Sequence, residues 1–193
     1  MTIRSAASSR LLSVLSALVL GGLALSACGS SSASPPPTTT MVLQQSAPTF
    51  HVNPVATSGA QVGDTATFEA PLFQNGRVVG ELSGSRTLVQ TSKDLSWATP
   101  ARVQGHTAGQ ALNLWFTTDI FYIFGKGSIQ TQGERFAPEN TDPTALPQIQ
   151  ISVAAPMAVI GGTRQFAFAH GQLNSLRHAD GTYTQTFTLR LGN

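Results

Sequence analysis

From about residue 62 to the end, apolar and polar side chains alternate with a period of two, the spacing of a half-buried strand and not of a helix. Val62 to Phe73 is the clearest run. Ala66, Phe68, Ala70 and Leu72 fall on one face, and Thr65, Thr67 and Glu69 on the other. Asn75-Gly76 follows as a hairpin signal, and Val78 to Gln90 reads as the partner strand, with Gly80 and Gly84 marking bends. Thr49 to Thr57 alternates loosely around Pro54, which suits a first edge strand. Thr91 to Gln110 is a long connection in which Lys93 to Ala98 is expected to form a short helical turn. Ala111 to Phe124 carries two apolar faces: Leu112, Leu114, Phe116, Ile120 and Phe124 on one, Trp115, Asp119, Phe121 and Ile123 on the other. Such a strand is expected to be covered on both sides, by a lumen and by a neighbour or subunit. Gly125-Lys126-Gly127 turns into Ser128 to Gly133, and Glu134 to Pro147 reads as a Pro- and acid-rich loop. After Gln148 to Ile160, the pair Gly161-Gly162 predicts a tight corner of positive φ and close approach. A strand beginning at once would put Phe166, Phe168 and His170 on one face and Ala167, Ala169 and Gly171 on the other. Asp180-Gly181 introduces a last strand to Leu191. About eight strands, no long helix and one short lumen make the chain all-β.

The first residues follow a different pattern. Arg4 and Arg10 precede an apolar run from Leu11 to Leu25, the layout of a secretory signal. At ~15 residues the run is shorter than the ~20 that span a bilayer as a helix. It closes on Leu25-Ser26-Ala27-Cys28, which resembles a bacterial lipobox, and Cys28 is the sole cysteine, so it has no internal disulfide partner. The expected organisation is a signal peptide over 1–27, a lipidated Ser/Pro/Thr-rich tether over 28–46, and a folded domain over 47–193. A lipidated Cys28 would hold the domain outside the cytoplasm at the cell membrane or the outer membrane.

Charge changes with that cleavage. The chain has 11 basic and 9 acidic residues, and loss of Arg4 and Arg10 leaves the mature protein near neutral. With no Lys/Arg cluster remaining, a nucleic-acid groove is not expected. His51, His106 and His178 show no metal-ligand spacing, there is no Gly-x-Ser-x-Gly elbow and no phosphate-cradling loop, and neither metal nor cofactor is expected.

Two stretches carry a family resemblance. Tyr122-Ile123-Phe124-Gly125-Lys126-Gly127-Ser128-Ile129-Gln130-Thr131-Gln132-Gly133 looks like the hairpin of allene oxide cyclases, where a glycine turn leads into a strand ending in Gln-Gly. Ile160-Gly161-Gly162-Thr163, then Phe166 and Ala169-His170-Gly171-Gln172, resembles the glycine-rich signature of dirigent proteins and its cyclase counterpart. Order and spacing agree over about residues 60 to 193. The resemblance implies an eight-stranded antiparallel barrel, often trimeric, whose lumen imposes one stereochemical course on a reactive substrate. Departures are specific: Ala167 and His170 stand where dirigent proteins place arginines, Arg164 replaces a signature glycine, and His51 and Asn53 are the nearest counterparts of a cyclase acidic residue. The families' polar residues therefore do not transfer.

Candidate chemistry rests on single residues. Asp119, set among Trp115, Phe121 and Ile123, would serve as an acid or base if buried, or would pair with an arginine or face a subunit. His170, on a face with Phe166 and Phe168, would be a lumenal base or a structural histidine. Trp115, Phe121, Phe166 and Phe168 are the expected ligand-lining aromatics, and Glu69 and Glu81 the solvated outer-face charges. Two functions remain open: a non-catalytic barrel binding a small apolar ligand or an envelope partner, and a stereo-directing cyclase or isomerase of a lipophilic substrate. An envelope inhibitor acting through the long loops is a third.

Overall fold

The computed structural model describes residues 37–55, 57, 59–93, 111–139 and 153–192. Nine strands lie within them: β1 (Thr38–Gln45), β2 (Thr49–Asn53), β3 (Thr65–Gln74), β4 (Arg77–Gln90), β5 (Leu112–Ile123), β6 (Gly127–Pro138), β7 (Ala154–Gly162), β8 (His170–Arg177) and β9 (Tyr183–Arg190). All pairings are antiparallel, and the order is β1-β9-β8-β7-β6-β5-β4-β3-β2. Contact of β1 with β3, through Gln44 opposite Phe73 and Gln45 opposite Leu72, closes eight strands into a barrel. β2 lies outside the eight and continues along β3, pairing Thr49–Asn53 with Glu69–Thr65.

Inside and outside follow from strand parity. On β3 the predicted face of Ala66, Phe68, Ala70 and Leu72 is buried. The Asn75-Gly76 turn has positive φ at both residues, which matches the twist a two-residue hairpin needs. Register shifts at Leu72/Phe73, Leu88/Gln90 and Gln130/Thr131 bend the wall, as closure of a small barrel requires.

One end of the barrel carries the β3–β4, β5–β6 and β7–β8 turns and is packed shut. Phe121 and Phe187 meet edge to face at 4.9 Å, surrounded by Leu43, Leu72, Leu82, Ile123, Ile129, Phe166, Leu173 and Leu189. The other end receives the connections β2–β3, β4–β5, β6–β7 and β8–β9.

Three expectations are corrected. Thr38–Gln45, assigned to the tether, is a barrel strand paired with β9 along its whole length, with Leu43 and Gln45 turned inward; its few apolar residues, Met41, Val42 and Leu43, do not alternate with polar ones and follow directly on a Ser/Pro/Thr-rich run. Glu134–Pro138, assigned to a loop, completes β6, because pairing with β5 continues to Leu112 opposite Pro138. The corner after Gly162 is a short 3-10 turn, Arg164–Phe166, and β8 starts only at His170. On the outer face of β5, Leu112 and Leu114 are buried within the chain, while Phe116, Ile120 and Phe124 are exposed in the single chain. The segment 1–36 with Cys28, most of the expected Lys93–Ala98 turn, and His106 lie outside the described residues.

Candidate functional site

Between the packed end and a small apolar cluster of Leu88, Trp115 and Ala137 at the other end, the barrel interior turns polar. The inward parity of β4, β5 and β6 dictates which residues meet there. Leu82, Gly84, Arg86 and Leu88 share the inner face of β4; Asn113, Trp115, Thr117, Asp119 and Phe121 that of β5; Ile129, Thr131, Gly133, Arg135 and Ala137 that of β6. Register then stacks them in layers: Gly84, Asp119 and Thr131 in one, Arg86, Thr117 and Gly133 in the next, Leu88, Trp115 and Arg135 in a third.

Asp119 is the centre of this belt, only 4% exposed. Its carboxylate occupies space that Gly84 leaves open: a Cβ there would lie 2.5 Å from Asp119 Oδ1 and 2.3 Å from Phe68 Cζ. Arg86 lies over the rings of Phe68 at 4.7 Å and Phe50 at 5.4 Å, a cation–π arrangement that helps hold a buried guanidinium. Phe50 and Phe68 are themselves 5.2 Å apart across the β2–β3 pair. Arg135 donates from Nη2 to Met157 Sδ at 2.8 Å, a soft and weak acceptor for so strong a donor.

Electrostatics and burial oppose each other here. Burial outweighs the opposing charges of Arg135 and then Arg86 and leaves Asp119 raised from 3.8 to about 6. Burial, with repulsion from Arg86, outweighs Asp119 and Tyr183 and leaves Arg135 lowered to about 10. Two guanidinium groups against one carboxylate leave the belt net positive.

Its hydrogen bonding is incomplete. Among the described residues, buried Arg86 Nε, Arg135 Nε and Nη1, and Trp115 Nε1 have no acceptor, Thr117 Oγ1 and Thr131 Oγ1 no partner, and Asp119 Oδ1 and Gln185 Oε1 no donor. Each such group carries a desolvation cost of about 1–3 kcal/mol. Gln185 Nε2 does donate to Gln45 Oε1 at 2.6 Å, tying β9 to β1 inside the wall.

The expected residues are thus separated. Asp119 and Trp115 belong to the polar belt. Phe121 and Phe166 are buried in the packed end. Phe168 is 81% exposed, and His170 is exposed with Nδ1 3.3 Å from the Phe168 carbonyl oxygen, so neither enters the lumen. The 3-10 turn breaks the alternation that would have faced them inward. Arg86 and Arg135 were missed as site residues. Parity with Leu82, Gly84 and Leu88 was the signal for Arg86; Arg135 was concealed by its assignment to a loop. Among the described residues, no three His, Cys, Asp or Glu side chains group as metal ligands.

A separate cleft of about 530 Å³ opens at the packed end where β1 and β3 diverge, lined in part by Met41, Phe73, Lys126, Phe166 and Leu189. It lies away from Asp119 and holds none of the unpartnered groups.

No family model and no curated protein matches this chain. Among solved structures it is similar to pyocyanin demethylase, at 16% identity and a TM-score of 0.54, over 78% of this chain and 99% of that one. It also aligns with the Diels–Alderase AbmU from Streptomyces koyangensis, at 15% identity and a TM-score of 0.49 over 81% of this chain and 69% of that one. A pterocarpan synthase dirigent protein aligns at 13% identity and a TM-score of 0.44 over 81% and 92%. At these identities the likeness to the demethylase concerns the barrel fold alone.

Proposed function

We propose that the polar belt binds a small planar organic molecule rich in acceptor oxygens, in a barrel lipid-anchored outside the cytoplasm through Cys28. The observation that carries this reading is the imbalance of unpartnered atoms. Four donor nitrogens, three of them on arginines, meet two acceptor oxygens and two hydroxyls. A wholly apolar ligand would leave those donors unsatisfied, so the molecule has an apolar body for Trp115, Phe68 and Phe50 and an anionic or carbonyl edge for Arg86 and Arg135. That narrows the apolar ligand expected from the sequence to one of mixed character.

Titration with the aromatic anion anilinonaphthalene sulfonate tests the reading on the mature chain carrying Cys28→Ser. Saturable binding is expected, weakened more than about tenfold by Arg135→Met, since a hydrogen bond to a charged group contributes about 1.5–3 kcal/mol. Native mass spectrometry of the protein from its own envelope should find an oxygen-bearing small molecule. A protein that copurifies without one, together with equal affinity of Arg135→Met for the probe, would sink the proposal.

A second reading, proton transfer during an isomerisation or cyclisation, is favoured by Asp119, whose carboxyl changes charge near pH 6. It predicts a rate that rises or falls through that pH and is lost in Asp119→Asn. Assembly as a trimer belongs to the same proposal; the exposed Phe116, Ile120 and Tyr122 on the outer face of β5 are the surface it would cover.

A further inference from the structure

The packed end of the barrel has a chemistry of its own. Its turns and strand ends carry Arg77, Lys126, Arg164 and Arg190, all exposed, together with exposed His170. Among the described residues, the nearest side-chain carboxylate along these strands is Glu81, beyond Gly80 on β4. Asp64, Glu134, Glu139 and Asp180 all lie toward the opposite end. Among the described residues the packed end is therefore basic, whereas the opposite end sets those four acids against Lys93 and Arg177.

Exposed apolar side chains share this end. Phe168 is 81% exposed, Val78 54% and Phe124 52%. Phe168 holds φ at 60° and Arg164 at 54°, in the left-handed region that non-glycine residues seldom occupy. The fold thus spends conformational strain on a turn that presents a phenylalanine and an arginine to the outside.

The chain also enters here. Thr38, the first residue of β1, pairs with Arg190 at the end of β9, and Cys28 lies ten residues upstream. Ten extended residues reach at most ~35 Å, so an anchored Cys28 would keep this end of the barrel within about that distance of the bilayer.

We infer that the packed end is a membrane-docking face that rests on anionic lipid headgroups through Arg77, Lys126, Arg164 and Arg190 and inserts Phe168 among them. The face would hold the opposite end of the barrel away from the bilayer, toward the aqueous envelope. The inference rests on the lipid-anchored reading of Cys28, and its test is independent of that anchor.

The mature chain carrying Cys28→Ser is mixed with phosphatidylcholine vesicles containing or lacking phosphatidylglycerol, and cosedimentation is measured. Binding is expected only with phosphatidylglycerol, and it should fall as salt is added. A cation near such a surface contributes about fivefold, so Lys126→Gln and Arg164→Gln should each weaken binding by about that factor. Phe168→Ser should also weaken it, while Lys93→Gln at the other end should not. Equal binding to both vesicles, no binding to either, or an equal response to Lys93→Gln and Lys126→Gln would overturn the docking face. The anchor is read separately, from whether Cys28→Ser releases the chain from the membrane fraction of cells.

Discussion

A carboxylate buried beside two guanidinium groups is subject to two opposing effects, and at Asp119 burial exceeds attraction. Because its folded value, about 6, lies above the ordinary 3.8, the folded chain binds more protons than the unfolded chain between those values. Stability therefore falls as pH rises through that window, by about 3 kcal/mol in all, and the cost is fully present above it. Asp119→Asn removes the titration. Thermal melts should show wild type and variant equally stable near pH 4, with the variant ahead by up to about 3 kcal/mol near pH 8. A constant difference across that range would show that burial does not govern this carboxyl. A bound ligand whose anionic edge faces Arg86 and Arg135 would favour the protonated carboxyl, so saturation should raise the midpoint of Asp119 further.

The elements are held in place by close approaches that a single methyl group would disturb. Gly84 on β4 lets the Phe68 ring and the Asp119 carboxylate pass over its backbone. Gly84→Ala is expected to destabilise by about 1–3 kcal/mol, the usual range for overpacking, and to disturb the carboxylate as well. The measurement is a denaturant melt beside a probe titration; unchanged stability and affinity would show that β4 and β5 are further apart than this geometry requires. Gly162 differs from the glycine next to it. Its Cβ would fall 2.5 Å from the carbonyl oxygens of Phe166 and Ser128, whereas nothing lies within 4 Å of a Cβ at Gly161. Gly162→Ala should therefore lower stability well beyond Gly161→Ala. Neither glycine has positive φ; that conformation falls on Arg164 and Phe168 instead. The pair was legible as a corner, and its physical role is close packing of the turn against β6.

At the scale of the whole molecule the barrel has two unlike ends, one packed and cationic at its rim, the other leading to the polar belt. If Cys28 is the anchor, Cys28→Ser should move the chain from the membrane fraction to the soluble extracytoplasmic fraction, a change read by fractionation and immunoblot. Retention in the membrane fraction would remove the anchor. By itself, the sequence determined the all-β class, most strand positions, the Asn75-Gly76 and Gly125-Lys126-Gly127 turns, and the sharing of one β5 face by Asp119 and Trp115, because strand periodicity and turn chemistry are local properties; that this face is the lumenal one was decided by closure of the barrel. β1 was not legible, since its strand identity depends on pairing with β9, more than a hundred residues away. Arg86 and Arg135 belong to strands far from one another along the chain, and only barrel registry sets them around Asp119. The exposure of Phe168 and His170 was equally a tertiary outcome. Their alternation with Ala167 and Ala169 looks like a strand until packing of Gly162 against the Phe166 carbonyl forces a 3-10 turn and aims both side chains outward.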